Sequence, residues 1–137
     1  MKILVIDGQG GSLGARLVKL ISERFPGHEL IAVGTNSAAT SNMLKSGASS
    51  AATGENAVIV ASRRADIIVG PIGIVIADAL MGEVTPKMAV SVGQSDAIRV
   101  LIPMNRCETI IAGQSGSTTA LVESAMDAIA EIVGKTG

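Results

Sequence analysis

Near the start of the chain, Asp7-Gly8-Gln9-Gly10-Gly11-Ser12-Leu13-Gly14 combine residue types and spacing suited to holding an anion. They follow the apolar run Ile3-Leu4-Val5-Ile6 and lead into an amphipathic helical pattern. Glycines let a backbone turn sharply and approach a ligand. The open N–H groups and positive dipole end of the following helix then meet the anion. Gly8, Gly11 and Gly14 fit a GxxGxxG spacing, and Gly8, Gly10 and Gly14 fit GxGxxxG. Both are variants of the dinucleotide fingerprint. Gly8, Gln9, Gly10, Gly11, Ser12 and Leu13 are therefore expected to bind the phosphate of an NAD(P)-like nucleotide or another phosphorylated small molecule. The alternative is a structural tight turn.

Two details depart from a routine NAD site. Asp7 ends the strand, where its carboxylate would face a pyrophosphate unless hydrogen-bonded away. It could instead hold a ligand hydroxyl, a metal-bound water or a backbone N–H. A typical NAD binder also carries an acid about twenty residues past the glycines, for the ribose hydroxyls. This chain has Gly34-Thr35-Asn36-Ser37 there. The glycine loop also lacks the Gly-Lys-Ser/Thr of a Walker A motif.

The elements that must position these residues alternate between apolar runs and helical patterns, which reads as βαβ units. Strands are expected at Lys2 to Ile6, Glu29 to Val33, Ala48 to Thr53 (weakly), Asp66 to Val69 and Ala97 to Ile102. Leu13, Leu17, Leu20 and Ile21 mark a first helix, stopped by Pro26-Gly27. A second runs from Ala38 to Ser46 and closes on Gly47. Val58-Ile59-Val60 favours a strand over Glu55 to Arg64, but a parallel sheet needs a crossover there, so a helix is expected. Further helices are expected from Ile74 to Met81, from Thr85-Pro86 onward, and from Ser117 or Thr118 to the C-terminus. Pro103 to Cys107 is too short for a parallel crossover, so Thr109 to Ala112 should form an antiparallel edge strand. The expected fold is one Rossmann-like three-layer α/β domain over residues 1–137, its sheet mostly parallel with that antiparallel C-terminal edge strand.

Parallel sheets bind ligands outside the carboxyl ends of their strands. That edge should gather the glycine loop with Thr35, Asn36 and Ser37, and with Gly70, Pro71, Ile72 and Gly73. Asn105 and Arg106 should join them, Arg106 as a forked cation for phosphate or carboxylate. Thr35 and Ser37 could equally cap a helix, Gly70 to Gly73 could be a plain turn, and Arg106 could pair with Glu108 or Asp96. Asp7 and Glu55 are the acid–base candidates if the chain is an enzyme, with NAD(P)-linked redox chemistry as the first class. Cys107 reads as an ordinary thiol. His28 lies at the opposite edge, which removes a histidine mechanism. The loop from Gly113 to Thr118 reads as a helix cap or subunit contact.

Composition narrows the class further. The chain has 137 residues, 47% of them hydrophobic and 17% charged, with a formal charge of −1. A single Phe, with no Trp or Tyr, makes the core aliphatic and argues against a base-stacking nucleic-acid module. Scattered charge argues against nucleic-acid backbone and membrane-surface binding. One cysteine excludes an internal disulfide and a thiolate metal cage, and no metal is expected. Met1 leads straight into the first strand, which reads as leaving no room for a signal peptide, so a cytoplasmic protein is expected. An aliphatic, low-charge chain of this size is expected to form a homodimer that closes its site.

Five blocks together carry a resemblance: Ile6 to Gly11, Gly34-Thr35-Asn36, Ala52 to Asn56, Gly70 to Gly73 and Pro103 to Cys107. They resemble a small bacterial family catalogued only as a domain of unknown function, which implies a fold but no activity. Gly34-Thr35 and Asn105-Arg106 are also similar to methylglyoxal synthase-like domains, which implies a phosphate-bearing ligand and, as one possibility, a phosphate-substrate lyase. That family uses a histidine and a Gly-Asp pair, whereas Asp7-Gly8 reverses the pair here. A non-catalytic ligand sensor or accessory subunit fits the same residues, and so does a structural or assembly protein.

Overall fold

A computed structural model describes residues 1–104, 109–113 and 116–136. Five strands form one parallel sheet: β1 (Lys2–Asp7), β2 (Glu29–Gly34), β3 (Ser50–Thr53), β4 (Ile67–Pro71) and β5 (Ile98–Ile102). Their spatial order is β3-β2-β1-β4-β5, which places the first strand of the chain at the centre. The helices are α1 (Ser12–Arg24), α2 (Ser37–Lys45), α3 (Glu55–Arg64), α4 (Pro86–Gln94) and α5 (Thr118–Thr136).

The strand residues alternate between two buried layers. Ile3, Val5, Leu30, Ala32, Ile67 and Val69 pack with α1, α2 and α5 on one face. Leu4, Ile6, Val33 and Ile68 pack with α3 and α4 on the other. Both faces of β1 are thus covered, and its run Ile3 to Ile6 is apolar throughout, as a central parallel strand requires. The fold is a three-layer α/β sandwich. Gly70 lets β4 lie close against β1, because a Cβ there would come within 2.4 Å of the Ile6 carbonyl oxygen.

Local signals set the helix starts. Asn36 Oδ1 accepts from Ala39 N–H at 2.9 Å and caps α2. Thr85 Oγ1 accepts from Met88 N–H at 3.2 Å, with Pro86 in the first turn of α4. Ser117 Oγ accepts from Ala120 N–H at 3.2 Å at the start of α5, the cap role expected for that loop. Residues 55–64 are helical, with Val58 and Ser62 turned inward.

Two expectations fail. Ile74 to Met81 is not a helix. A single 3-10 turn covers Ile72–Val75, and the chain then coils through successive turns to Val84. Asp78, Leu80, Met81 and Gly82 have φ of 67°, 55°, 56° and 88°. A right-handed helix cannot propagate through left-handed residues. The bonds Asp78 N–H to Val84 oxygen (2.7 Å) and Val84 N–H to Ala79 oxygen (3.1 Å) close the segment as a loop.

The second failure is the antiparallel edge strand. The sheet is wholly parallel, and Thr109 to Ala112 forms no strand among the described residues. Ile110 is 85% exposed, not buried as the middle of a paired strand would be. Val122, Ala125, Met126 and Ile129 of α5 cover the β5 end of the sheet instead.

Candidate functional site

At the centre of the carboxyl edge, the chain leaves β1 through α1 toward β2, while β4 lies on the opposite side of β1. This reversal of strand order opens a crevice, the usual ligand position of parallel α/β sheets. A cleft of about 650 Å³ occupies it, lined by Asp7 to Leu13, Pro71 to Gly73, Ile76 to Met81, Met104 and Thr109. One wall is the glycine loop. The opposite wall is mainly aliphatic, from Ile72, Ile76, Leu80 and Met81.

The glycine loop has a definite hydrogen-bond pattern. Asp7 is buried; its Oδ1 accepts from Gly8 N–H at 2.8 Å and its Oδ2 from Gly14 N–H at 2.6 Å. Backbone N–H groups, one of the options open to this carboxylate, are thus among its partners. It supplies the cap that Gly11, the residue before α1, has no side chain to give. Gly11 N–H donates to the Gly8 carbonyl at 2.9 Å, and Gln9 N–H to Glu83 Oε1 at 2.9 Å. The N–H groups of Gly10, Ser12 and Leu13 donate to no acceptor among the described residues. Gly10 is also open above its Cα, since an added Cβ would meet nothing within 4 Å.

Glu83 organises the β2 side. Its Oε1 accepts from Thr35 Oγ1 at 2.7 Å and from Asn36 Nδ2 at 2.7 Å, besides Gln9 N–H. Burial alone would raise the Glu83 pKa, but the bonds from Thr35, Gln9 N–H and Asn36 outweigh it and hold the carboxyl below its ordinary value. Asn36 Nδ2 also donates to the Gln9 carbonyl at 2.9 Å.

The expected site residues therefore divide. Gly8 to Leu13 and Pro71 to Gly73 line the cleft, while Gly70 sits behind them against β1. Thr35 is joined to the glycine loop through Glu83, and Asn36 both through Glu83 and by its bond to the Gln9 carbonyl; neither lines the cleft, and Ser37 begins α2. Glu55 also lies outside the lining; it begins α3 and accepts from Thr85 Oγ1 at 2.5 Å. Asn105, Arg106 and Cys107 lie outside the described residues. His28 is remote from this edge, with Nδ1 3.1 Å from the Met1 amino group.

Sequence reasoning missed the loop 76–84, which supplies Asp78, Leu80 and Met81 to the cleft and Glu83 to the β2 side. Met81 is 90% exposed at its rim. The available signal was Met81-Gly82-Glu83, a glycine and an isolated acid just before the Thr85-Pro86 helix start.

Among the described residues, no helix is long and apolar enough to cross a membrane. No curated protein matches the chain, so the similarity to methylglyoxal synthase-like domains gains no support. Among solved structures, the chain is similar to a dodecameric FMN-dependent UbiX-like decarboxylase from Escherichia coli O157:H7. That likeness has 20% identity, covers 96% of this chain and 76% of the other, and has a TM-score of 0.48. It is too distant to assign chemistry here. The resemblance carried by the five sequence blocks is upheld: residues 2–134 match the family described as Domain of unknown function (DUF3842), and the chain belongs to it.

Proposed function

We propose that this protein binds a phosphorylated small molecule in the cleft between β1 and β4, with the phosphate at the start of α1 and the rest of the ligand against the aliphatic wall. One observation carries the reading: three N–H groups, of Gly10, Ser12 and Leu13, lack an acceptor among the described residues beside a cleft of about 650 Å³. A mostly apolar pocket with a few convergent polar groups is the usual form of a small-molecule site. The helix dipole adds to the attraction for an anion.

Both acid–base candidates of the sequence already hold partners within the fold. Asp7 accepts from the Gly8 and Gly14 N–H groups, and Glu55 from Thr85 Oγ1. Asp78 is the other described carboxylate lining the cleft.

Calorimetric titration with inorganic phosphate and a panel of phosphate esters tests the proposal. Gly10→Asp places a carboxylate where the backbone has open space, so it should abolish binding while leaving the unfolding midpoint unchanged. Equal binding by Gly10→Asp, or no heat with any phosphate compound, overturns the proposal.

A further inference from the structure

We infer that Glu83 decides what the cleft accepts: it fills the place beside β2 that a dinucleotide's ribose would take, so the ligand is a phosphomonoester with an apolar body. This inference rests on the phosphate-binding reading above and narrows it.

In dinucleotide-binding α/β folds the pyrophosphate crosses the glycine loop, and an acid at the end of the second strand holds the ribose hydroxyls. Here the end of β2 offers Thr35 Oγ1 and Asn36 Nδ2 instead, and both donate to Glu83 Oε1 at 2.7 Å. The carboxylate that reaches this position comes from the loop after β4, with its own backbone attached.

The steric pattern agrees. A Cβ on Gly8 would lie 2.4 Å from Thr35 Oγ1, 2.8 Å from Leu80 Cδ1 and 3.1 Å from Glu83 Oε1. Leu80 and Glu83 thus stand close over Gly8, with the Glu83 carboxylate between the loop and the end of β2. The donors agree as well. Gly8 and Gly14 N–H are bound to Asp7, Gln9 N–H to Glu83 and Gly11 N–H to the Gly8 carbonyl. Those left, on Gly10, Ser12 and Leu13, match the three oxygens of a single phosphoryl group. A second phosphate placed toward β2 would meet the Glu83 carboxylate. On the other side, Ile72, Ile76, Leu80 and Met81 offer apolar surface and suit an uncharged, hydrophobic body.

Calorimetric titration with phenyl phosphate, AMP and NAD tests this on the wild type and on Glu83→Ala and Glu83→Gln. The wild type should bind the better of the two monoesters at least about tenfold more tightly than NAD. Glu83→Ala, which empties the position, should cut that ratio to about threefold or less through a gain in NAD affinity. Glu83→Gln, which fills the same space, should retain it. Circular dichroism and urea midpoints establish that each variant is folded; if Glu83→Ala is not, the wild-type ratio and Glu83→Gln still decide. NAD binding to the wild type as tightly as the monoesters overturns the inference and leaves the phosphate site standing. Silence with all three compounds and with inorganic phosphate overturns the phosphate site itself, and the inference with it.

Discussion

Gly14 donates its backbone N–H to Asp7 Oδ2 at 2.6 Å, so the last residue of β1 caps the helix that follows it. The carboxylate closes strand, glycine loop and helix into one hydrogen-bonded unit through Gly8 and Gly14. The same residue read in sequence as a catalytic candidate thus has a structural task that can be measured.

Replacing Asp7 by Asn keeps the shape but removes one of two buried acceptors and the charge at the helix start. A buried donor left without its partner costs about 1–3 kcal/mol. Asp7→Asn should lower the urea midpoint accordingly, with an unchanged slope. An unchanged midpoint would refute the capping role.

Glu83 makes stability depend on pH in a definite direction. Its folded pKa lies below the ordinary glutamate value, so in acid the unfolded chain takes up the proton first. Its contribution is complete above the usual glutamate range and is lost as pH falls through the lowered folded value. Urea midpoints from neutral pH down to about pH 3 should therefore converge for the wild type and Glu83→Gln. A constant gap between the two would contradict this.

Adjacent glycines should respond oppositely to alanine. Gly10 has open space above it, so Gly10→Ala should leave stability unchanged within about 0.5 kcal/mol. Gly11 has φ of 72°, and a Cβ there would lie 2.6 Å from Ala39 Cα. Gly11→Ala must strain the backbone and push α2 away, which should cost about 1–3 kcal/mol from the conformation alone. Thermal melts of the pair decide the matter, and equal losses would show the loop to be placed differently.

Helix α5 should be held by its buried face rather than by its charges. Ile129 is fully buried, and Ile129→Ala should cost about 2–5 kcal/mol in urea unfolding. The Arg24–Glu123 bridge, at 2.6 Å, lies between exposed side chains. Arg24→Ala should leave the midpoint unchanged, because exposed ion pairs add little. A larger loss for Arg24→Ala than for Ile129→Ala would reverse this assignment.

Local chemistry made much of the fold legible. The continuous run Ile3 to Ile6 announced a central strand, Thr85-Pro86 a helix start, and the glycines between β1 and α1 the middle of the carboxyl edge. Connectivity correctly decided residues 55–64, where Val58-Ile59-Val60 alone favoured a strand. The failures arose where distant contacts outweigh local pattern. Residues 74–81 carry enough apolar side chains for a helix, yet the segment is tied at Glu83 to Thr35 and Asn36, nearly fifty positions earlier. No single-residue signal encodes that convergence. Thr109 to Ala112 looked like a strand because apolar runs usually pair in a sheet, and among the described residues this one forms no strand.

The sheet order has a kinetic consequence. β1 comes first in the chain but sits in the middle, paired on one side with residues 29–34 and on the other with residues 67–69. As the polypeptide emerges from the ribosome, this apolar strand keeps one edge bare until residues 67–69 have been made. Parallel pairings of this kind close large loops and form slowly, leaving the chain exposed to aggregation meanwhile. Synthesis speed and chaperone supply, more than the stability of the finished sheet, should set the yield of folded protein.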